Sequence, residues 1–292
     1  MILRSLLFLP GNTPKMLEKG PFLEADALIL DLEDAVSPRE KDAARVLVRN
    51  ALRTVDFRAK DIIVRINAPG SDSAWQEDIR EIVLPALTMI MIPKAEDGET
   101  IRQVDEKISS AEKEQGIPTG CIRLIPLIET CRGIEHAYEI ATASQRIYGL
   151  FLGAEDLTAD MRCKRTREGS EILFARMALL NAARAAGVEA FDTPFTDVND
   201  LDGLQADAQR ARAYGYSGKA SISPRHLEII NQVFSPSEEE IQYAREVVEA
   251  IEAAEKSGKG VVAVRGKMVD KPVVLRARQT LDLARQINGG WL

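Results

Sequence analysis

The chain has 292 residues, 45% hydrophobic and 28% charged, with a net charge of −7. That length and balance suit one large barrel or two modest domains, and the negative charge disfavours nucleic acid or an anionic membrane surface as the main partner. No run approaches the roughly 18 apolar residues of a membrane span, and two histidines, His136 and His226, leave little for a histidine metal site or a Ser-His-Asp triad.

Cys121, Cys131 and Cys163 show no CxxC spacing and read as reduced thiols of a cytoplasmic protein. Leu3 to Leu9 is too short for a signal peptide core and runs into Pro10-Gly11, so it is expected to be the first strand. Thr13 and Pro14 open a short helix. Ala27 to Leu32 is the second strand, ending in Glu33 and Asp34, and Ser37-Pro38 opens an amphipathic helix to about Leu52. Ile62 to Ile66 is the third strand, with Arg65 near its end, followed by a helix from Trp75 to about Val83. Thr88 to Ile92 is the fourth, ending in Pro93-Lys94, with a charged helix from Gly98 to Glu114.

Ile122 to Ile128 is the fifth strand, delivering Glu129, and Ile134 to Ala143 a helix. Tyr148 to Leu152 is the sixth; after Gly153 and Ala154 come Glu155 and Asp156. Glu168 to Ala186 is a strong helix with Leu173, Met177, Leu180 and Ala183 on one face. Val188 to Phe191 is the seventh strand, ending at Asp192; Leu201 to Tyr214 is helix; Lys219 to Ile222 is the eighth strand, and His226 to Val233 a helix.

Eight strands alternating with about eight helices argue a (β/α)8 TIM barrel over residues 1–234. The alternative, an open doubly wound sheet, lacks its GxGxxG. Residues 235–292 form a C-terminal helical extension: a helix from Ser235-Pro236 to about Ser257, a break at Gly258 to Gly260, a strand from Val261 to Val264, a turn at Gly266, and a helix from Lys271-Pro272 to Ile287. It is expected to bury no core of its own, and so to pack on the barrel or on a neighbouring subunit. The tail with Gly289, Gly290 and Trp291 is expected to fray.

In a barrel the strand ends crowd one face, here Pro10, Glu33, Arg65, Lys94, Glu129, Asp156, Asp192 and Ser221. Two apolar strands that each deliver an acid, Glu129 and Asp156, make a candidate site for a hard divalent cation. Blander roles stay open. Asp156 fits the cap of a helix starting at Leu157, Arg65 a partner of Glu33, and Asp270 the N-cap of the last helix; Lys94 fits a structural role.

The segments RSLLFLPGN, ILDLEDAV, RIN, LIETCRG, FLGAEDLTAD, KASISP and GKMVDKPVV occur in an order that resembles the citrate lyase β-subunit family, within the aldolase/citrate-lyase group of metal-dependent barrels. The likeness spans residues 3–287. It implies Mg²⁺ on Glu129 and Asp156, a keto-acid product on Arg65, and Gly153, Ala154 and Glu155 lining that substrate. It places Pro10, Gly11, Asn12 and Lys15 toward a thioester carrier, either coenzyme A or acyl carrier protein. Asp270 is implied as the acid that moves the carbon proton in an adjacent subunit of a homotrimer. Glu33 is a further catalytic candidate, or with Asp34 an outer shell around the metal. Citrate lyase α and γ subunits are implied as partners.

One departure is Ser223-Pro224-Arg225-His226, where the family usually has His or Asn before the proline and often Gln two after it. The implied reaction cleaves a citryl thioester to oxaloacetate and an acetyl thioester. Malyl-CoA or citramalyl-CoA lyase, a malate-synthase-like enzyme and a non-catalytic carrier-docking subunit are the alternatives.

Overall fold

The computed structural model describes residues 1–58, 60–70, 73–256 and 262–287. The strands are β1 (Ser5–Pro10), β2 (Ala27–Asp31), β3 (Asp61–Arg65), β4 (Met89–Ile92), β5 (Arg123–Ile128), β6 (Gly149–Leu152), β7 (Glu189–Asp192) and β8 (Gly218–Ser221). They pair in parallel in sequence order, and β8 closes onto β1 through Ser5↔Lys219, Leu6↔Ala220 and Leu7↔Ser221. This is the expected eight-stranded barrel. The strands read as near-continuous apolar runs because side chains of both parities are covered, one set by the barrel interior and the other by helices.

The intervening helices are α1 (Pro14–Lys19), α2 (Lys41–Thr54), α3 (Ala74–Ile82), α4 (Gly98–Glu114), α5 (Cys131–Glu135), α6 (Ala137–Thr142), α7 (Ala154–Asp160), α8 (Leu173–Ala186), α9 (Leu201–Tyr214) and α10 (Leu227–Phe234). Local chemistry sets several of their ends. Asp97, Thr130 and Asp200 accept hydrogen bonds from the N–H groups of Thr100, Gly133 and Gly203 and so start α4, α5 and α9. The helix expected over 134–143 is two pieces, α5 and α6, broken at His136, whose Nδ1 bonds to the Glu96 carbonyl at 2.7 Å.

The face expected to bury α8 is also corrected. Leu173 and Met177 are 42% and 43% exposed, while Ala175, Arg176, Leu179, Leu180 and Ala183 face inward. Arg176 is buried because it reaches Asp192 at 2.9 and 3.0 Å and Asp207 at 2.9 Å. Lys219, fully buried, joins the same acids at 2.5 and 2.6 Å and bonds the Thr193 carbonyl at 2.7 Å. Two buried cations and two buried anions, with the partly exposed Arg210 on Asp207 at 3.2 Å, thus close a network across α8, β7, α9 and β8, and the strand-end Asp192 is spent within it.

The chain divides into two compact units, Leu3–Asn231 and a second of Gln232–Leu292 with Met1–Ile2. In the second, α11 (Glu238–Lys256) and α12 (Lys271–Ile287) enclose a cluster that includes Ala244, Val247, Ile251, Val269, Ala277 and Leu281. The extension therefore has a small core of its own, contrary to expectation. A hairpin of β9 (Val262–Val264) and β10 (Lys267–Val269) adds to it, turning through Arg265 and Gly266 at φ 48° and 75°. The expected glycine break at 258–260, Val261 and the tail at 289–291 lie outside the described residues. No helix among the described residues is long and apolar enough to cross a membrane.

Lys219→Met leaves Asp192 facing only Arg176 and Asp207 facing Arg176 and the partly exposed Arg210, and removing one partner of a buried pair costs about 3–5 kcal/mol. Urea titration of the variant should show a loss of that size. A shift under about 1 kcal/mol would mean that the network contributes little to stability.

Candidate active site

Along the barrel interior, alternate residues are apolar until the last step. Ile29 is followed by Asp31, Ile63 by Arg65, and Leu127 by Glu129. Above the apolar layer lies a cavity of about 360 Å³. Asp31, Asp34, Arg65, Glu129 and residues 153–156 line it, with Phe8, Leu127 and Phe151 below and Thr193, Pro194 and Ile222 opposite.

Arg65 is held by Asp31, its register partner on β2. Its Nε and Nη2 donate to the two carboxylate oxygens at 2.7 and 2.6 Å, and its guanidinium lies 5.2 Å from the centre of the Phe8 ring. The third nitrogen, Nη1, faces Glu33 Oε2 at 3.0 Å and Asp34 Oδ2 at 3.5 Å. Burial opposes the charge of Arg65, but Asp31, Glu33 and Asp34 outweigh it and hold the group firmly protonated. Glu33 is thus a partner of Arg65, but the dominant one is Asp31. The sequence reading missed Asp31 because it sits inside the run ALILDLED; its parity with Arg65 was the available signal.

Glu129 is buried and accepts the Lys94 N–H at 2.8 Å, with Lys94 in the left-handed region at φ 50°. Gly153 makes room for it, since a Cβ there would stand 2.6 Å from Glu129 Cβ and 2.7 Å from its Oε2. Burial, then Glu33 and Asp156, push the Glu129 carboxyl up to about 8 against the pull of the Lys94 N–H and Arg65. Burial also raises Glu33, against Arg65 and against Lys94, whose Nζ binds it at 2.8 Å. Glu33 Oε2 lies within ion-pair distance of Arg65 yet makes no well-directed hydrogen bond.

Asp156 does not cap a helix starting at Leu157. The helix begins at Ala154 with Gly153 as its cap, which puts Glu155 and Asp156 in its first turn. The Asp156 carboxylate lines the cavity and makes no hydrogen bond or ion pair among the described residues. Ala154 N–H donates to Thr193 Oγ1 at 3.1 Å, and Glu155 pairs with Arg165 at 2.9 Å.

Five carboxylates, Asp31, Glu33, Asp34, Glu129 and Asp156, therefore meet three cations, Arg65, Lys94 and Lys41. When all are ionised the surplus is two negative charges, the charge one divalent cation cancels. Among the described residues no group of three or more His, Cys, Asp or Glu is placed to hold a metal. Glu129 and Asp156, both lining the cavity, are the pair of acids that would suit a hard cation there.

Other expected residues lie elsewhere. Pro10, Gly11, Asn12 and Lys15 do not line the cavity. Gly11 N–H donates to the Asp31 carbonyl at 2.8 Å, and Asn12 donates to Glu40 at 3.0 Å. Asp270 belongs to the second unit, where its carboxylate accepts the Val273 N–H at 3.3 Å and caps α12. Ser221 Oγ donates to the Ser223 carbonyl at 2.7 Å.

A closed barrel with an acidic, cation-ready mouth is the architecture of a metal-assisted enzyme. Residues 4–224 match the HpcH/HpaI aldolase/citrate lyase model; the chain belongs to that family and is an enzyme of the carbon–carbon lyase class. It is 44% identical over 282 residues to the citrate lyase subunit beta of Leuconostoc mesenteroides subsp. cremoris, covering 96% of this chain and 93% of the relative. A (3S)-malyl-CoA thioesterase of Cereibacter sphaeroides is 36% identical over 285 residues, covering 97% and 95%. The solved structure of protein CitE from Mycobacterium tuberculosis, in complex with magnesium, acetoacetate and coenzyme A, is similar with a TM-score of 0.78 and 32% identity, covering 97% of this chain and 98% of that one.

Gly153→Ala should force Glu129 aside and cost about 1–3 kcal/mol of stability through overpacking. A crystal structure of the variant checks this. Glu129 in its original place would show that the backbone absorbs the extra methyl.

Proposed function

We propose that this chain is a Mg²⁺-dependent lyase that cleaves a citryl thioester into oxaloacetate and an acetyl thioester. The observation that carries this reading is the buried Glu129 and the half-buried Asp156 beside Arg65 on one cavity wall. The relative named citrate lyase subunit beta and the magnesium, acetoacetate and coenzyme A held by protein CitE support it.

The bond to break joins the hydroxyl-bearing carbon to the carbon next to the thioester carbonyl. Loss of the hydroxyl proton lets that oxygen form the ketone of oxaloacetate, while the electron pair of the broken bond passes into the thioester enolate. A magnesium ion, when bound by Glu129 and Asp156, lowers the cost of alkoxide charge. Arg65, fixed by Asp31, offers Nη1 to substrate oxygens, and Glu33 and Lys94 hold it in orientation. Phe8, Leu127 and Phe151 keep the base of the cavity dry. Proton return to the enolate carbon is assigned to Asp270 of an adjacent subunit in a homotrimer, supported by the GKMVD resemblance. Citrate lyase α and γ subunits are the proposed partners. The free and exposed Cys121, Cys131 and Cys163 support a reducing, cytoplasmic setting.

Mass spectrometry of products from citryl, malyl and citramalyl thioesters should show oxaloacetate from the citryl substrate as the fastest release. Preferred turnover of malyl-CoA would favour the second reading, which the thioesterase relative supports. Arg65→Lys should lower turnover about 100-fold although the charge remains, because the planar fork is lost; near-wild-type kinetics would make Arg65 structural. Mixing the inactive variants Asp270→Asn and Asp156→Asn should restore activity, and confirmed mixed oligomers that stay inactive would place Asp270 outside the reaction.

Metal binding has a pH signature. With its carboxyl pushed up to about 8, Glu129 is mostly protonated at pH 7 in the metal-free protein, and the ion must displace that proton. Mg²⁺ affinity should therefore fall as pH drops below about 8, with close to one proton released per ion at pH 7. Calorimetry in buffers of different ionisation enthalpy measures that release. It should vanish in Glu129→Gln, and an unchanged Mg²⁺ affinity in that variant would remove Glu129 from the site.

A further inference from the structure

Beside the cavity mouth lies a surface that the proposed chemistry leaves unused. Between α7 and α8, residues 161–169 (MRCKRTREG) carry four cations and one acid, in a chain whose net charge is −7. Arg165 and Arg167 are committed, the first to Glu155 and Glu171 and the second to Asp200. Arg162 and Lys164 are exposed, and their side chains make no hydrogen bond or ion pair with any described residue.

The helix that follows opens with large apolar side chains turned outward. Leu173, Phe174 and Met177 are 42%, 73% and 43% exposed, because the inward positions of α8 go to Arg176 and its neighbours. Phe174 and the half-exposed Tyr138 border a groove of about 500 Å³ between α6 and α8. A contiguous apolar patch with a cationic edge marks an interaction surface. The loop is also tied to the cavity wall, since Arg165 grips Glu155, which lines the cavity.

We propose that loop 161–169 and the outward face of α8 dock an acidic protein that carries the thioester on a flexible arm, with the arm entering the cavity past Glu155. This inference rests on the thioester-lyase reading and names the partner of that site. The unpaired Arg162 and Lys164 call for a partner of negative charge, which speeds encounter and fixes orientation. The apolar face calls for one of protein size. A nucleotide carrier could place phosphates on the two cations but would leave Phe174 and Met177 uncovered, whereas a stable protein contact covers about 800 Å² on each side. Phe and Met are residue types enriched at interface cores.

The test compares two substrates of the full-length enzyme: a citryl group on the arm of a small acidic acyl carrier protein, and citryl-CoA. The variants are the pair Arg162→Glu with Lys164→Glu, and separately Phe174→Asp; none of these residues touches the cavity. In both variants KM for the carrier-borne substrate should rise about tenfold or more, with citryl-CoA turnover within about twofold of wild type. The charge variant should also lose most of the salt dependence of that KM. Equal effects on both substrates, or no effect on either, would overturn the proposal.

Calorimetric binding of the unloaded carrier separates this proposal from the lyase reading, because it needs no turnover. If wild type binds the carrier and both variants lose it, docking stands even where no citryl thioester is cleaved. Normal binding by both variants overturns docking even where the lyase reading holds. An oligomer that dissociates on Phe174→Asp would show that a second copy of the chain covers this face, and would overturn the proposal as well.

Discussion

Asp31 and Arg65 stand side by side on adjacent strands, each one step above the apolar interior of the barrel. The candidate site depends on this pair. Without Arg65, the buried Glu33 and Glu129 would lose a cation that opposes the upward push of burial on both carboxyls. Without Asp31, the guanidinium would turn toward Glu33 or Asp34 and leave the cavity wall. The fork fixes one face of Arg65 and leaves Nη1 for other oxygens. Asp31 also accepts the N–H groups of Glu33 and Ala35, so the same carboxylate shapes the loop that carries the neighbouring acids.

Much of the architecture was legible in the sequence because a parallel barrel writes its strands as short apolar runs between turn residues. Glu129, Asp156 and Arg65 could be found because each follows or ends such a run. Asp31 could not be separated from its run by composition, since ALILDLED offers three acids near one strand end and only the interior parity distinguishes the first. The split of α5 from α6 was hidden for another reason: it depends on His136 reaching a carbonyl forty residues earlier, a tertiary contact that no local pattern records.

The errors in α8 and in the extension share a cause. Periodicity groups apolar residues, so Leu173 and Met177 were placed on one face with Leu180 and Ala183. Leu180 and Ala183 are buried, but Leu173 and Met177 are exposed, because Asp192 and Asp207, on other elements, supply Arg176 with partners that turn it inward. In the extension, small size argued against a core of its own, yet apolar residues of α11 and α12 form one. The hairpin contributes Val264 and Val269 to the cluster, and its turn depends on Arg265 adopting positive φ, a conformation not readable from the residue type.

Two buried charge clusters in the barrel carry opposite meanings, and burial alone does not tell them apart. Around β7 and β8, Arg176, Lys219 and the partly exposed Arg210 meet Asp192 and Asp207, with the hydrogen bonds of Lys219 all made inside the protein. That cluster asks for nothing from outside and serves as a clamp between the last barrel units. At the mouth, by contrast, the acids outnumber the cations, Glu129 is pushed toward its protonated form, and Asp156 has no partner among the described residues. A network in which every acid meets a cation is complete as folded, whereas an acid left without a cation leaves room for a ligand of the missing sign. The unpaired Asp156, placed beside a Glu129 for which Gly153 makes room, is therefore the feature that separates the candidate site from the structural cluster in this barrel.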